Sequence, residues 1–496
     1  MLIQTEYYKR SVTFAERSRN FHSKFAALLA SENPLADFDF KKLPKELLVR
    51  IFRHARVDSA LGAYINTFRY PVALSQVCRH WRTVAIGAPI LWTNIDVPEY
   101  HTEGAKEGVR IYLERSKPRP IFLTWFAEAE EFHTDVPAIV ENVIIPGAER
   151  WQRITLFAGD KRVTEAMLAA MEPLNFPILQ DLEITCKPFL GSDLPKSALP
   201  PSVPLLRRCR LRSVPSLPPP SNLVVLDYVF LESLWPAEFC LDPLLEFLPH
   251  VAHSLEHLRF GPPPISNVRF TPRTTKIPLD NLKSLHTMES HAIVDHIITP
   301  NLAYFAASYS PVADARWVAG VFEGFSAPKL QSIRFHRAPL LLLLTTHNLP
   351  SMFPKLESVL FSDCTGELAL VPLLEPPKPK KPSSLKKASK HPPKVRKVEN
   401  PLPHLKELAI SDMKIWASLQ AVIERRLQNG NKSLRKIQLP RGAATRIVVS
   451  RLHQWLPAHG IEFISYYPEE LPKSTPEFLD KFCDEDYDLF DLVAGF

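Results

Sequence analysis

The 496-residue chain is long enough for two or three domains, and its 45% hydrophobic and 23% charged residues are ordinary for a globular protein. The net charge of +7 is concentrated in residues 376–398, which hold nine Lys and Arg and no acid, so a basic nucleic-acid-binding face across the whole fold is not expected. No apolar run approaches the roughly 20 residues that a membrane helix needs, and the absence of GxG disfavours phosphate-binding loops.

The six cysteines show neither metal-ligand spacing nor a dense disulfide pattern, which indicates reduced thiols. We therefore expect an intracellular protein, cytoplasmic or nuclear, with no membrane segment, no cofactor and no metal. His250, His253 and His257 share one helical face, but no carboxylate pattern completes a zinc site beside them.

The chain begins with a polar, partly helical segment, residues 1–36, and a clearer helix follows. Pro44 suits the first turn of that helix, because no backbone N–H is needed there. Leu47, Leu48, Ile51 and Phe52 then form an apolar stripe at helical spacing.

A second stripe predicts one continuous helix from Leu74 to Ala85. Cys78 lies on the apolar side of this helix, next to Trp81. His80 would lie about 200° around the helix from Cys78, so these two side chains cannot form a catalytic dyad. The sequence favours Cys78 as a small packed hydrophobe.

Three motifs occur in order within residues 40–97. They are Leu43-Pro44-x-Glu46-Leu47-Leu48-x-x-Ile51-Phe52, Leu74-Ser75-x-Val77-Cys78-Arg79-x-Trp81-Arg82-x-Val84-Ala85 and Pro89-x-Leu91-Trp92. Together they resemble the F-box, and most of all the F-box-like domains of large fungal families. The segment between the first two motifs is longer than in the minimal family pattern.

An F-box is too small to bury its own apolar faces well, so one stripe stays exposed for a partner. In the family, that partner is the Skp-type adaptor of the SCF (cullin-RING) ubiquitin ligase. The resemblance implies that the adaptor contacts Leu43, Pro44, Leu47, Ile51, Leu74, Val77 and Cys78. It also implies an F-box core formed by Phe52, Trp81, Leu91 and Trp92.

From residue 150 onward, the template apolar-x-x-apolar-x-apolar recurs. Clear copies begin at Trp151, Leu179, Leu206, Leu255, Leu330, Leu356, Leu405 and Leu434, and weaker copies begin at Leu223, Leu282 and Leu302. A short strand that recurs every 20–29 residues or so is typical of leucine-rich repeats, although the usual Asn or Cys position is largely missing here. The predicted fold class is therefore α+β, with a small helical F-box followed by an irregular leucine-rich-repeat α/β solenoid.

The Lys- and Pro-rich residues 376–398 fall between two copies of the template, so they are interpreted as a disordered insertion that could also serve as a nuclear-localisation signal. The predicted domains are a helical segment at 1–36, the F-box at 37–98, the solenoid at 99–475 and an acidic cap or tail at 476–496.

The residues between the apolar positions of each strand are expected on the opposite, concave face. Asp227 and His286 fall in this row, together with the predicted substrate-binding residues Arg208, Arg210, His257, Arg259 and Arg334. The row is mostly basic. It is either an ordinary solvated face or a docking site for an acidic or phosphorylated protein segment.

Two functions remain open from the sequence. The first is a non-catalytic, substrate-recognition subunit of an SCF-type ubiquitin ligase, with the Skp-type adaptor and an unknown protein substrate as partners. The alternative is a nuclear protein that associates with nucleic acid or chromatin through the basic tract at 376–398. No motif supports a hydrolytic enzyme.

Overall fold

The computed structural model divides into two compact units. The first comprises Met1–Asp96 and Tyr112–Arg119, and the second comprises Val97–Ile111 and Pro120–Phe496. The structure describes residues 43–59, 70–97, 103–127, 140–158, 161–186, 202–214, 216–230, 238–261, 267–269, 275–288, 292–309, 325, 327–337, 352–362, 364, 402–409, 416–428, 432–440 and 455–466. The predictions for 1–36, 376–398 and 476–496 lie outside these ranges.

Short helices dominate the N-terminal part of the chain. In chain order the elements are α1 (Lys45–Ser59), α2 (Tyr70–Val77), α3 (Arg79–Ile86), a 3-10 turn (Pro89–Trp92), β1 (Asn94–Val97) and α4 (Glu103–Ser116). Helix α1 starts where the proline predicts, because the Leu48 amide donates the first helical hydrogen bond to the Pro44 carbonyl at 3.1 Å.

The predicted continuous helix from Leu74 to Ala85 is interrupted at one residue. Cys78 is extended, with φ −158° and ψ 170°, and its Sγ accepts a hydrogen bond from the Trp81 amide at 3.4 Å as the N-cap of α3. Arg82 Nε donates to the Ser75 carbonyl at 2.8 Å and so satisfies a free carbonyl at the end of α2. The prediction failed because a single extended residue between two short helices barely disturbs the apolar periodicity.

The second unit consists mainly of short strands. Its further elements are β2 (Ile121–Ala127), a π-helical turn (Val140–Ile144), helical turns (Ile145–Gly147 and Ala148–Arg150), β3 (Trp151–Ala158), α5 (Lys161–Met171), β4 (Asp181–Cys186), β5 (Arg208–Arg212), β6 (Val225–Val229), β7 (Glu238–Cys240), α6 (Asp242–Val251), β8 (His257–Gly261), β9 (Asn267–Arg269), β10 (Ile277–Pro278), β11 (Ser284–Met288), a 3-10 turn (Ala292–His296), β12 (Ile297–Ile298), β13 (Tyr304–Ser308), β14 (Ser332–His336), β15 (Ser358–Ser362), β16 (Glu407–Ala409), α7 (Trp416–Gln428), β17 (Lys436–Pro440) and β18 (Glu462–Tyr466).

One long parallel sheet runs through the second unit. Its strands are neighbours in the order β2-β3-β4-β5-β6-β8-β11-β13-β14-β15-β16-β17-β18, which follows the chain. Two small sheets pair β7 with β9 and β10 with β12. Each copy of the sequence template from Trp151 to Leu434 coincides with a strand of the long sheet.

A recurring turn leads into many of these strands, and most of its copies contain proline. In the stretch Val203-Pro204-Leu205-Leu206 the Leu206 amide donates to the Val203 carbonyl at 3.0 Å. Proline at the second position pre-sets the backbone angle for such a turn. The same bond closes the turns that end at Leu179, Leu282, Leu302, Leu330, Leu356 and Leu405.

The sheet buries side chains on both of its faces. On one face lie the apolar template residues, such as Ile154 and Leu156 of β3 and Leu182 of β4, all of which are buried. On the other face the central positions are buried as well, among them Ala306 and Leu360. Coverage of both faces is usual for parallel sheets.

Strands β15 and β16 are direct neighbours, with Ser358 opposite Glu407 and Val359 opposite Leu408. The basic tract 376–398 lies between these two strands in the chain. The pairing is therefore the one expected if the tract is an insertion that leaves the order of the sheet intact. In the described part of the chain, no helix is both long and apolar enough to cross a membrane.

Candidate functional site

Large apolar side chains lie exposed on the helices of the first unit. Val77 at the end of α2 is 60% exposed, and Leu47 and Ile51 on α1 are 47% and 45% exposed. Pro44 is also exposed and Leu43 is half-buried. Leu47 and Ile51 are one helical turn apart, so they share one face of α1, while Leu48 and Phe52 point into the core.

The predicted contact set is exposed only in part. Leu74 is buried, and Cys78 is half-buried and engaged as the N-cap of α3. Conversely, Val72 on α2 and Ile86 on α3 are exposed although the sequence motifs did not single them out. The sequence around Val72 and Ile86 did not indicate that they are exposed, because their exposure depends on how α2 and α3 are packed.

Aromatic side chains hold the first unit together. Phe52 and Trp81 have ring centroids 4.8 Å apart, and the Trp92 ring meets Tyr112 edge-on at 4.9 Å. Trp92 Nε1 donates to the Ala85 carbonyl at 2.8 Å, and Leu91 beside it is buried. The guanidinium of Arg115 lies 4.4 Å from the centre of the Trp92 ring, a cation–π contact.

Basic side chains surround these helices. Arg50 and Arg53 on α1 and Arg79 and Arg82 on α3 are exposed. Apart from the hydrogen bond of Arg82, no ion pair engages any of these four guanidinium groups among the residues that the structure describes. The exposed surface of the first unit thus combines apolar and basic groups.

In the second unit, the predicted basic row begins with ion pairs. Arg208 Nε lies 2.5 Å from Asp181 Oδ1, and Arg153 Nη2 lies 2.9 Å from Asp181 Oδ2. Arg210 Nη1 lies 3.4 Å from Glu183 Oε2. Neighbouring strands therefore alternate in charge, and the start of the sheet does not form a purely basic surface.

Asp181 and Glu183 were not among the predicted site residues, although their positions in the sequence indicate the ion pairs. Both occupy the positions between the apolar residues of their template copy, as Arg208 and Arg210 do in the next copy. The structure places Asp181 opposite Arg208 and Glu183 opposite Arg210 in register. Reading every copy of the template for charge would have revealed the pairs.

The centre of the row differs from the prediction, because Asp227, Arg259 and Arg334 are buried. Asp227 Oδ2 lies 3.8 Å from both Arg212 Nη2 and Arg259 Nη1. Arg259 also donates to Met288 Sδ at 3.2 Å. The expectation of solvent exposure failed here since both faces of this parallel sheet are covered. The substrate-binding roles of these arginines remain a prediction.

Two histidines of the row are held neutral. Burial lowers the pKa of His257 to about 4, so its 3.9 Å contact with Glu256 is not an ion pair at neutral pH. Burial lowers the pKa of His286 well below its usual range, and the charges of Arg259 and Arg334 add to this effect. Ser308 Oγ lies 2.9 Å from Nε2 of His286.

No cluster of three or more His, Cys, Asp or Glu side chains is placed to hold a metal in the described ranges. His253 contacts Asn222 Oδ1 at 3.0 Å, while His257 begins the next strand. Burial, with a contribution from the charge of Asp227, raises the pKa of the Cys209 thiol far above its usual value, which leaves this thiol unreactive.

The comparison with known families addresses the first unit. Residues 40–98 match the family model of the F-box-like domain. No curated protein matches the chain. The chain therefore contains an F-box-like domain, and the exposed apolar side chains of α1 and α2 belong to it.

Proposed function

We propose that this protein is a substrate-recognition subunit of an SCF-type ubiquitin ligase. The F-box-like domain would bind the Skp-type adaptor, and the second unit would bind the protein substrate. The observation that supports this most is the exposure of Leu47, Ile51 and Val77 on helices that match the F-box-like family. F-box proteins often serve as such subunits.

The energetics favour a partner on this surface. Burying one Val, Leu or Ile side chain is worth about 1.5–3 kcal/mol, and a few desolvated side chains dominate most interfaces. Contacts within the chain already hold α1 to α3 together through Phe52, Trp81 and Trp92. The exposed side chains are thus presented on a formed surface, which lowers the ordering cost of binding.

We further propose that the second unit is an irregular leucine-rich-repeat solenoid. In support, buried apolar residues and short parallel strands recur in register from β3 to β17, and the same turn precedes seven of these strands. The strands are regular in pairing but irregular in the lengths of chain between them. Such an array would offer a long surface for a protein substrate.

The burial of Arg259 and Arg334 revises the substrate site proposed within this unit. Arg208 is exposed, and Arg210 and His257 are half-buried, so these three are placed for direct contact. Arg259 and Arg334 are buried and would act by supporting the surface rather than by touching the substrate. An acidic or phosphorylated segment would have to displace Asp181 from Arg208.

The proposal assigns no covalent chemistry to this chain, because ubiquitin transfer would be carried out by its partners. Among the described cysteines, Cys240 is exposed, whereas Cys209 is buried with a raised pKa and Cys78 is a helix cap. Neither Cys209 nor Cys78 is a candidate for carrying ubiquitin as a thioester.

The test uses the full chain with Leu47 and Ile51 both replaced by Asp. Two charges on an otherwise apolar interface should lower the affinity for a Skp-type adaptor by about 30-fold or more. The matched control replaces Leu205 and Ile298 of the second unit with Asp, because these side chains are 49% and 44% exposed. Adaptor binding that persists unchanged in the double variant would overturn the proposal.

A further inference from the structure

We propose that the partner of the F-box-like domain has an acidic rim, and that Arg50, Arg53, Arg79 and Arg82 recognise it. This inference rests on the proposed function, because it concerns the same docking surface. All four arginines are exposed on α1 and α3, the helices that also expose Leu47, Ile51 and Ile86. These two helices therefore expose both apolar and basic side chains.

Helix geometry places Arg50 beside an exposed apolar residue of α1, whereas Arg53 lies further round the helix. Arg50 lies three residues after Leu47, so the two side chains are neighbours on α1. On α3, Arg79, Arg82 and Ile86 follow one another at spacings of three and four residues. They therefore share one face of the helix.

Three of these arginines carry charges that no described residue pairs. Arg50, Arg53 and Arg79 form no ion pair with the described residues. Among the acids that the structure describes in this unit, Glu46 and Glu114 are exposed and Asp96 is half-buried. A surface of this kind fits an acidic rim around an apolar groove, since interfaces usually join complementary potentials.

Arg82 differs from the other three because its Nε is fixed by the Ser75 carbonyl. Replacing it would also remove a bond that links α3 to α2. The test variant therefore reverses only Arg50, Arg53 and Arg79 to Glu in the full chain. Its fold is checked by a melting temperature within a few degrees of the wild type.

Charges at the rim of an interface act mainly on the association rate. The triple reversal should lower the association rate constant with a purified Skp-type adaptor by about tenfold or more at low salt. The dissociation rate should change much less. At 0.5 M salt the difference should nearly vanish, because the Debye length then falls to only a few ångströms.

The matched control reverses Lys355, Lys432 and Arg435, three exposed residues of the second unit, and changes the net charge equally. An association rate that falls only in the first variant supports the acidic rim. An equal fall in both variants indicates an effect of net charge and overturns the inference, as does an unchanged rate. Persistent binding by the Leu47 and Ile51 variant would instead contradict the proposed function.

Discussion

Asp227 and Arg259 face each other on the neighbouring strands β6 and β8, with Oδ2 and Nη1 3.8 Å apart and the Asp227 side chain fully buried. Arg212 approaches the same oxygen from the other side at 3.8 Å. Neither oxygen of Asp227 accepts a hydrogen bond in the described part of the chain. The carboxylate therefore acts on these two guanidinium groups through its charge and not through hydrogen bonds.

Removing this carboxylate is expected to be costly. Asp227→Asn should lower the free energy of unfolding by about 3–5 kcal/mol, because it removes a buried negative charge that lies 3.8 Å from two buried guanidinium groups. Asp181→Asn is the matched control, since Asp181 also bridges two arginines but on a partly exposed surface. The control should cost about 0–1 kcal/mol. Urea unfolding measures both values, and equal losses would contradict this account.

The neutral histidines predict a dependence of stability on pH. Because the pKa of His257 is about 4 in the folded state, the unfolded chain binds more protons between pH 6.5 and 4. Stability should therefore fall as the pH drops through this window, with His257 contributing at most about 3 kcal/mol. His257→Gln should flatten the wild-type curve of unfolding free energy against pH. A variant curve parallel to the wild type would show that His257 titrates normally.

Gly261 at the end of β8 is required by close packing. A Cβ on this residue would lie 2.9 Å from Met288 Cβ and 3.2 Å from Val229 Cγ1. Gly261→Ala should therefore destabilise the second unit by about 1–3 kcal/mol, since the strands would have to shift. Thermal unfolding measures this effect. A neutral substitution would mean that β8 and β11 can separate at no cost.

Excision of residues 376–398 tests the insertion and the alternative function together. Because β15 and β16 pair directly, removing the tract and joining its ends should change the melting temperature little. Adaptor binding should be retained. A large fall in the melting temperature would show that the tract supports the sheet. The alternative function would be favoured by a different result. In that case the excised variant loses nucleic-acid or chromatin association, and neither the variant nor the wild type binds the adaptor.

The sequence predicted the strands better than their surroundings. The apolar template correctly marked the strands of the long sheet from β3 to β17. Burial against one core imposes the same spacing on every copy. It could not show that the opposite face is buried too, since Arg259 and Arg334 look solvent-exposed in any pattern based on polarity. Whether such residues are exposed depends on what covers the sheet. The periodicity of a single strand carries no information about that cover.

The docking surface on the F-box-like domain was also predicted only in part. The residues implied by the family resemblance include Leu47, Ile51 and Val77, which are exposed. They also include Leu74, which is buried, and omit Val72 and Ile86. The break at Cys78 accounts for part of this difference, because it separates the directions of α2 and α3.

The most direct test of the central claim is hydrogen exchange of the full chain with and without a purified Skp-type adaptor. This account predicts slower amide exchange in α1 and α2, around Leu47, Ile51 and Val77, and little change in β3 to β18. Formation of a 1:1 complex should accompany this protection. Absence of a complex, or protection confined to the parallel sheet while α1 and α2 exchange as before, would contradict the claim that these helices are the adaptor-binding surface.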